Sequence, residues 1–482
     1  MKESEHPMAL KVEIRNYKSI RHADINLRPG LTILVGPNGS GKTCILSALQ
    51  FLRDVFRVGV AQALARQGGS RRVYNHGQSK ITFRFEQEYG ERTYRRHKIP
   101  CSFYWEITIS QAGPDKIATI IHETIKIIGK QLDKKVTLFS LAVDRTGDKP
   151  KVESYLCLPS EFGHDLFSFW KDMFGHMKKS QIVADFKAQY FKHILDRLRK
   201  DSDSSCFSRI AQFDDILNEI YSSFMFLNEY NILPDIARAS TEQLPFAEMA
   251  PNGEAVSEVI DALANKRYSK LERLRFMDFE ERLPVNYYYW KRQIHHTLPM
   301  PFRARRWRND KEPYAEALVN INKQLSAAVR LITEVNVEID PTSGKRFVVF
   351  KSGQDKFYPE EVSDGTIKWL CILVSLFVPF SRVYLIEEPE NFLHPWMQQR
   401  LIEIMREQAK QNKTIFLLSS HSATILNAAL PEELQIVRQS KKGTTLSAMT
   451  NISDVHDVLA KSDFHLGDLW VSGAIGGVPS DE

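Results

Sequence analysis

The chain has 482 residues, enough for roughly three folding units at about 150 residues each. Apolar residues make up 43% of it, and 65 Lys and Arg against 59 Asp and Glu leave a formal charge of +6. The composition predicts a globular protein. The charge is too small to indicate a nucleic-acid binder by itself.

The cysteines and the chain start bear on location. The five cysteines are scattered and show no metal-binding spacing, which favours a reducing cytoplasm over an oxidising compartment. The first residues contain no apolar signal core, and the longest apolar stretch, Trp369 to Phe380, is too short to cross about 30 Å of hydrocarbon. We therefore expect a cytoplasmic protein with no membrane partner.

The N-terminal part has the pattern of an α/β domain. Alternating or continuous apolar residues predict strands at 9–15, 22–28 and 31–35, and the third strand runs into a glycine loop. Apolar residues at helical spacing follow from Thr43 to Val58, so the loop opens a helix. Further strands are predicted at 80–86, 102–110, 117–128 and 135–145.

The middle and the C-terminal part differ in pattern. Helical runs at 160–200 and 207–228, and an amphipathic helix from Tyr314 to Ile332, predict a mainly helical insertion. After it, strands at 346–350, 383–387 and 414–420 alternate with helices, as in a parallel sheet. We therefore predict three parts, with boundaries 1–149, 150–335 and 336–482.

The loop Gly36–Thr43 matches the pattern G-x-x-x-x-G-K-[ST] between a strand and a helix. Backbone N–H groups and the positive end of a helix bind phosphate oxygens at such a loop. We expect Lys42 to reach the β- and γ-phosphates of ATP and the Thr43 hydroxyl to bind Mg²⁺. The other phosphate-binding candidates are Asn38, Gly39, Ser40 and Gly41. The alternative is a glycine turn that only caps a helix.

A second motif supplies carboxylates. The apolar run Val383–Ile386 ends in Glu387 and Glu388. We predict that Glu387 binds the metal and that Glu388, one residue further, activates the attacking water. The alternative is a surface strand that ends in two solvated acids.

Four ordered blocks give the chain a family resemblance. They are Arg15–Ile20 (RNYKSI), Ser363–Thr366 (SDGT), Glu387–Pro395 (EEPENFLHP), and His421 after a strand. Together with the glycine loop they resemble ABC-class ATPases of the RecF, SMC and OLD-like branch. The resemblance covers about 1–145 and 335–482. It implies an ABC-type ATPase head with a mixed and parallel sheet, assembled from both chain ends around the insertion.

The resemblance also implies a mechanism. Two heads would enclose two ATP molecules, with Ser363 and Gly365 of one copy contacting the γ-phosphate held by the other, and His421 would be the switch histidine. The signature is not LSGGQ, and Glu387 stands where Asp is more usual. Either Gln67 or Gln78 is a candidate for the Q-loop glutamine.

The 61 residues after His421 are too few for the TOPRIM nuclease domain that many OLD-like proteins carry. We therefore expect no intrinsic nuclease. The tail 466–477 is either a surface ending or an edge where a partner docks.

One middle segment, 283–309, combines basic and aromatic residues without an acid. Cations beside aromatic rings suit phosphate contact and base stacking, and double-stranded DNA is the candidate partner. The alternative is a solvated loop whose rings pack into the insertion. The basic residues are Lys291, Arg292, Arg303, Arg305, Arg306 and Arg308.

Three functional hypotheses follow. The first is an ATP-hydrolysing, dimerising sensor or regulatory subunit that acts with a separate nuclease or toxin effector in anti-phage defence. The second is a RecF-like ATPase of DNA repair or chromosome maintenance. The third is a scaffold that closes on ATP with negligible hydrolysis.

Overall fold

The computed structural model describes residues 10–94, 97–111, 118–131, 134–147, 150–156, 201–210, 217, 221, 227–242, 249–265, 316–378, 383–440, 443–449 and 451–475. The chain forms two compact units. Unit 1 contains Met1–Asn228, Ser381–Leu385 and Ala409–Glu482, and unit 2 contains Glu229–Phe380 and Ile386–Gln408. In the ranges described, we find no helix that combines the length and the apolar character needed to span a membrane.

The strands in chain order are β1 Leu10–Tyr17, β2 Ile20–Leu27, β3 Gly30–Val35, β4 Lys80–Tyr94, β5 His97–Ser110, β6 Thr119–Gln131, β7 Lys134–Asp144, β8 Lys151–Leu156, β9 Asn228–Tyr230, β10 Glu334–Ile339, β11 Arg346–Ser352, β12 Asp355–Phe357, β13 Val383–Glu387, β14 Ile415–Ser419, β15 Leu434–Ser440 and β16 Gly443–Ala448.

The helices are α1 Lys42–Val58, α2 Val60–Arg66, α3 Ser70–Val73, α4 Cys206–Ile210, α5 Pro234–Arg238, α6 Val256–Ala264, α7 Ala317–Ala328, α8 Asp364–Phe377, α9 Pro395–Asn412, α10 Ala423–Ala428, α11 Ile452–Lys461 and α12 Leu466–Val471. Short 3₁₀ turns lie at Pro359–Glu361 and Pro431–Glu433.

Unit 1 contains a seven-stranded antiparallel sheet of order β2-β1-β4-β5-β6-β7-β8. Its strands alternate between an apolar and a polar face, as an antiparallel sheet with one solvated side requires. On the polar face Arg84 lies 2.7 Å from Glu13 and 2.8 Å from Glu106, across neighbouring strands. On the other face Phe83 and Phe85 are fully buried.

A second sheet has the order β16-β15-β3-β14-β13-β9. Strand β3 pairs in parallel with both β14 and β15, and β16 is antiparallel to β15. Leu31 to Val35 are all buried, because a parallel strand in the middle of a sheet is covered on both faces.

Helix α1 joins both sheets of unit 1 into one apolar core. Its residues Phe51 and Phe56 belong to the same buried cluster as side chains of β3, β14 and the seven-stranded sheet. The ring of Phe56 lies 4.9 Å from that of Trp105, and Phe51 lies 5.6 Å from Tyr17. Burial of such rings supplies much of the stability that fixes the glycine loop at the start of α1.

A buried carboxylate ties α4 to the seven-stranded sheet. Glu123 on β6 is 1% exposed. Its oxygens accept hydrogen bonds from Trp105 Nε1 at 3.0 Å, Ser205 Oγ at 2.6 Å, Cys206 N at 2.6 Å and Phe207 N at 3.2 Å. Two of these donors are backbone N–H groups at the start of α4, where a negative charge is favourable.

Replacing Glu123 with glutamine is expected to lower the free energy of unfolding by about 2 kcal/mol, because one oxygen becomes an NH₂ group that faces buried donors. Urea denaturation followed by tryptophan fluorescence measures the loss. Glu153→Gln, at an exposed position on β8, is the control and should change little. Equal midpoints for the two variants would contradict a structural role for the Glu123 charge.

Unit 2 contains the three-stranded antiparallel sheet β10-β11-β12 and helices α5 to α9. Helix α8 is mostly apolar from Ile367 to Phe377, and its residues from Thr366 to Leu376 are buried, Lys368 and Ser375 among them. Gln324 of α7 contacts two other helices of the unit: its backbone carbonyl oxygen accepts from Trp369 Nε1 of α8 at 3.3 Å, and its side-chain oxygen accepts from Arg400 Nε of α9 at 3.0 Å.

The predicted α/β fold class is confirmed, and each predicted strand of the N-terminal part is present. Two details were wrong. Strand β11 is not part of a parallel sheet, because it pairs with antiparallel neighbours that lie only six residues before it and two residues after it along the chain. The helix predicted from Tyr314 to Ile332 ends at Ala328, because the backbone of Val329 is extended.

The three predicted parts stay a prediction. The helical run at 160–200 lies outside the described residues, and so does most of 207–228 and of the stretch between 265 and 316.

Candidate functional site

The glycine loop leads from β3 into α1, as predicted. The helix begins at Lys42, and Gly41 precedes it with a left-handed φ of 105°. Two glycines of the loop leave no space for a side chain. A Cβ on Gly36 would lie 2.2 Å from the carbonyl oxygen of Val437, and one on Gly41 would lie 2.2 Å from Thr444 Oγ1. Strands β15 and β16 therefore set the path of the loop.

The Lys42 side chain is folded over the loop. Its Nζ donates to the carbonyl oxygens of Gly36 at 2.8 Å and Pro37 at 3.0 Å, and the residue is 5% exposed. Thr43, one residue into α1, is exposed, as are Asn38 and Gly39. The ammonium is thus held on the carbonyl oxygens of the loop, while Asn38, Gly39 and Thr43 face solvent.

Two buried hydroxyls lie where the strand ends meet the loop. Ser40 Oγ and Ser419 Oγ are each in residues 1% exposed, and neither has a hydrogen-bond partner among the described residues. Buried hydroxyls are normally paired. Together with the Lys42 cation and the N-terminal end of α1, these hydroxyls fit a ligand that carries several phosphate oxygens.

His421 lies at the same edge of the second sheet as the loop. Strand β14 runs parallel to β3 with Ser419 opposite Leu34, and Ser420 N donates to the carbonyl oxygen of Leu34 at 3.2 Å. Because both strands end at this edge, the sheet brings Gly36 and His421 to one side of unit 1.

The predicted acidic strand is β13, which lies next to β14 in the sheet order. Its residues Val383 to Ile386 are buried, and Tyr384 stacks on Phe416 of β14 at 5.1 Å. Glu387 is the last residue of the strand. The buried strand argues against two solvated acids on a surface strand.

In unit 2, Ser363 caps α8. Its Oγ accepts from Thr366 N at 3.3 Å and lies 2.9 Å from Thr366 Oγ1. A Cβ on Gly365 would lie 2.4 Å from the carbonyl oxygen of Phe392, so only glycine allows this approach. The signature segment is therefore both a helix cap and a close contact with the residues that follow Glu388.

Arg238 of α5 holds the segment before α8. It donates to the carbonyl oxygens of Pro359 at 2.9 Å and Val362 at 2.8 Å, and it lies 2.6 Å from Asp364. Sequence reasoning missed this residue, because nothing local to it indicates a partner about 120 residues later.

Lys368 was missed as well. It is 3% exposed on α8, and its Nζ donates to the carbonyl oxygen of Glu388 at 3.2 Å. Burial lowers the pKa of Lys368 to about 8, and the charges of Glu390 and Glu388 act in the opposite direction. The available signal was a single lysine inside an otherwise apolar helix.

The residues predicted for the site belong to two different units of the chain. Within unit 1, the loop with Lys42 and Thr43 shares a sheet edge with His421; Glu387, Glu388, Ser363 and Gly365 belong to unit 2. Their roles remain predictions. The basic residues of 283–309 lie outside the described residues.

The N-terminal block RNYKSI forms the end of β1 and the turn into β2. Lys18 Nζ donates to Ser47 Oγ on α1 at 2.7 Å and to Gln67 Oε1 at 2.9 Å, whereas Gln78 is exposed in a turn. The block therefore packs on the helix that follows the glycine loop. Of the two glutamines considered for the Q-loop, Gln67 contacts both this block and α1.

Known proteins show two kinds of similarity to this chain. A family model described as "AAA ATPase domain" (AAA_15) matches residues 8–426. The DNA replication and repair protein RecF of Corynebacterium jeikeium is 44% identical over 59 residues, which is 12% of this chain and 14% of that protein. The RecF of Erwinia tasmaniensis is 50% identical over 46 residues, 9% of this chain and 13% of that protein. The matches thus span only a small part of the length of these relatives. Within the matched residues they confirm the resemblance to RecF-type ATPases.

Solved SMC heads are also similar over their whole length. The Smc head domain from Pyrococcus furiosus, with an extended coiled coil and bound to the C-terminal domain of ScpA, has 12% identity and a TM-score of 0.42 over 95% of this chain and 99% of that one. The SMC head domain from Thermotoga maritima has 12% identity and a TM-score of 0.33 over 91% and 98%. These scores are too low to assign a fold by themselves.

The family model covers most of the chain, including the glycine loop, the signature segment, both acids and His421. The chain belongs to the AAA_15 family of AAA ATPase domains.

Proposed function

We propose that the chain binds ATP with Mg²⁺ at the Gly36–Thr43 loop and hydrolyses the γ-phosphate bond. The observation that carries the proposal is the buried Lys42 ammonium, held on the loop's own carbonyls at the start of α1. It lies in a loop whose Ser40 hydroxyl is buried and has no hydrogen-bond partner within the part of the chain that the structure describes. A polyphosphate supplies acceptors for the ammonium, for the helix N–H groups and for the hydroxyl.

Each residue has a defined task in this proposal. Lys42 binds the β- and γ-phosphates, and the Thr43 hydroxyl and the Glu387 carboxylate would hold Mg²⁺, which neutralises phosphate charge when it is bound. Glu388 accepts the proton of the attacking water. His421 donates a hydrogen bond to the γ-phosphate.

Head dimerisation completes the proposal. Ser363 and Gly365 lie at the start of α8, a helix of 14 residues whose N-terminal end carries partial positive charge. The resemblance to ABC-class ATPases implies that this end of α8 binds the γ-phosphate held by a second copy of the chain. The homodimer is therefore the proposed active form.

We infer a regulatory role with a separate nuclease or toxin effector in anti-phage defence, on the resemblance to the OLD-like branch. The specific alternative is DNA repair, which the local identity to RecF favours. Contact with double-stranded DNA through the basic residues of 283–309, and a cytoplasmic location, stay predictions.

The test combines a measurement of ATP hydrolysis with a measurement of the mass of the protein in solution. The purified chain is assayed for Mg²⁺-dependent ATP hydrolysis with and without double-stranded DNA, and its mass is measured by light scattering with a non-hydrolysable ATP analogue. We expect turnover and a doubled mass with the analogue. Binding without turnover would favour the scaffold hypothesis, and no binding would overturn the proposal. Co-purification with the product of an adjacent nuclease or toxin gene tests the effector.

A further inference from the structure

Packing alone does not explain why a charged residue occupies position 368. Its neighbours along α8 are Ile367, Trp369, Leu370 and Cys371, all nearly inaccessible to solvent. Burying an ammonium costs several kcal/mol unless partners compensate, and a methionine would fill the same volume without that cost. A buried lysine at this position therefore indicates that the charge itself is used.

The Lys368 ammonium binds the backbone of Glu388. Lys368 Nζ donates to the carbonyl oxygen of Glu388 at 3.2 Å and lies 5.8 Å from the ring centroid of Phe392. The same carbonyl oxygen accepts from Asn391 N at 3.2 Å, and the Glu388 carboxylate accepts from Asn391 Nδ2 at 3.0 Å. Both the backbone and the side chain of Glu388 are thus held inside unit 2.

The loop that these contacts hold is strained. Glu388 has a φ of 42° and Phe392 a φ of 66°, left-handed conformations that cost side-chain-bearing residues about 1 kcal/mol or more each. Such a backbone persists only where its surroundings fix it. Here the surroundings are the first two turns of α8, with Gly365 against the Phe392 carbonyl and Lys368 on the Glu388 carbonyl.

One helix therefore carries two parts of the proposed reaction. Its first residues, Ser363 to Gly365, are the proposed contact with the nucleotide of the second copy, and its Lys368 holds the backbone of the residue proposed to activate water in this copy. We propose that Lys368 is a positioning residue for Glu388, which couples the orientation of the Glu388 carboxylate to the signature end of α8. This inference rests on the proposed ATP hydrolysis.

The test separates positioning from stability. Lys368→Met keeps the length of the side chain and removes the charge. We expect kcat for ATP hydrolysis to fall about tenfold, because small misplacements of a catalytic group cost 10-fold to 100-fold. The Kd for a fluorescent ATP analogue should stay within about twofold of the unchanged protein, and the melting temperature should stay the same or rise, because the buried charge is gone.

Two further variants complete the experiment. Lys368→Arg keeps a cation and should retain kcat within about threefold. Lys351→Met removes a lysine of the same unit that pairs with Glu334 at 2.7 Å, and it should leave kcat unchanged.

Three results would overturn the inference. They are an unchanged kcat in Lys368→Met, a parallel fall of kcat and melting temperature, which indicates a merely structural lysine, and equal losses in the Met and Arg variants. Absence of turnover in the unchanged protein would instead overturn the proposed function, and the inference would fall with it.

Discussion

Glu388→Gln is expected to lower ATP turnover by about 100-fold or more while ATP still binds. Glutamine has the shape of glutamate and its oxygen still accepts from Asn391 Nδ2, so the loop keeps its geometry. It cannot take the proton of the attacking water, and general-base catalysis is typically worth 10²-fold to 10⁴-fold. Single-turnover hydrolysis measures the chemical step, and the Kd for the fluorescent ATP analogue measures binding.

The matched control for this variant is Glu390→Gln. Glu390 lies two residues further in the same loop and is similarly half-buried, and its charge acts on Lys368 but it does not face the attacking water in the proposal, so its variant should lose much less turnover than Glu388→Gln. We also expect Glu388→Gln to accumulate as a dimer in ATP, because a site that does not hydrolyse keeps the nucleotide that joins the two heads. Unchanged hydrolysis in Glu388→Gln would remove this residue from the role of base.

Lys42→Ala is expected to raise the Kd for the fluorescent ATP analogue by about 10-fold to 100-fold. Hydrogen bonds to charged groups contribute about 1.5–3 kcal/mol, and a tenfold change in Kd corresponds to about 1.4 kcal/mol. The variant also removes the hydrogen bonds to the carbonyl oxygens of Gly36 and Pro37, so the loop loses an internal support. Isothermal titration with the analogue and Mg²⁺ measures the affinity.

The control is Lys461→Ala on the exposed surface of α11, where the lysine pairs with Asp457 at 2.9 Å. This variant should bind the analogue as the unchanged protein does. If Lys42→Ala also kept its affinity, the Gly36–Thr43 loop would be a helix cap and not a phosphate site.

The glycine loop shows how far local sequence reaches. Strand β3, the loop and α1 follow one another along the chain, so apolar periodicity and a short motif were enough to predict all three. Two of its glycines, however, are required by residues that lie far away along the chain. Gly36 and Gly41 are forced by Val437 and Thr444, about 400 residues later, and only the parallel pairing of β15 with β3 brings them together.

Strand pairing was beyond the sequence pattern. Apolar patterning predicted β1, β2 and β4 to β7 as strands, but it did not show that these six strands and β8 form a seven-stranded antiparallel sheet separate from β3. Period-two patterning fixes which face of a strand is buried, and it does not name the neighbour. For the same reason β11 was assigned to the wrong kind of sheet.

The sequence by itself determined the α/β class, the ATPase family, and the identity of Lys42, Thr43, Glu387, Glu388 and His421 as candidates, because each lies in a short motif next to a strand or helix end. Tertiary structure decided what supports them. Arg238 contacts the segment before α8, Glu123 contacts the start of α4, and Lys368 contacts the carbonyl oxygen of Glu388. In each contact the two residues are separated along the chain. Such contacts depend on how apolar faces pack, and the burial of a lysine has meaning only when the group that receives its hydrogen bond is known.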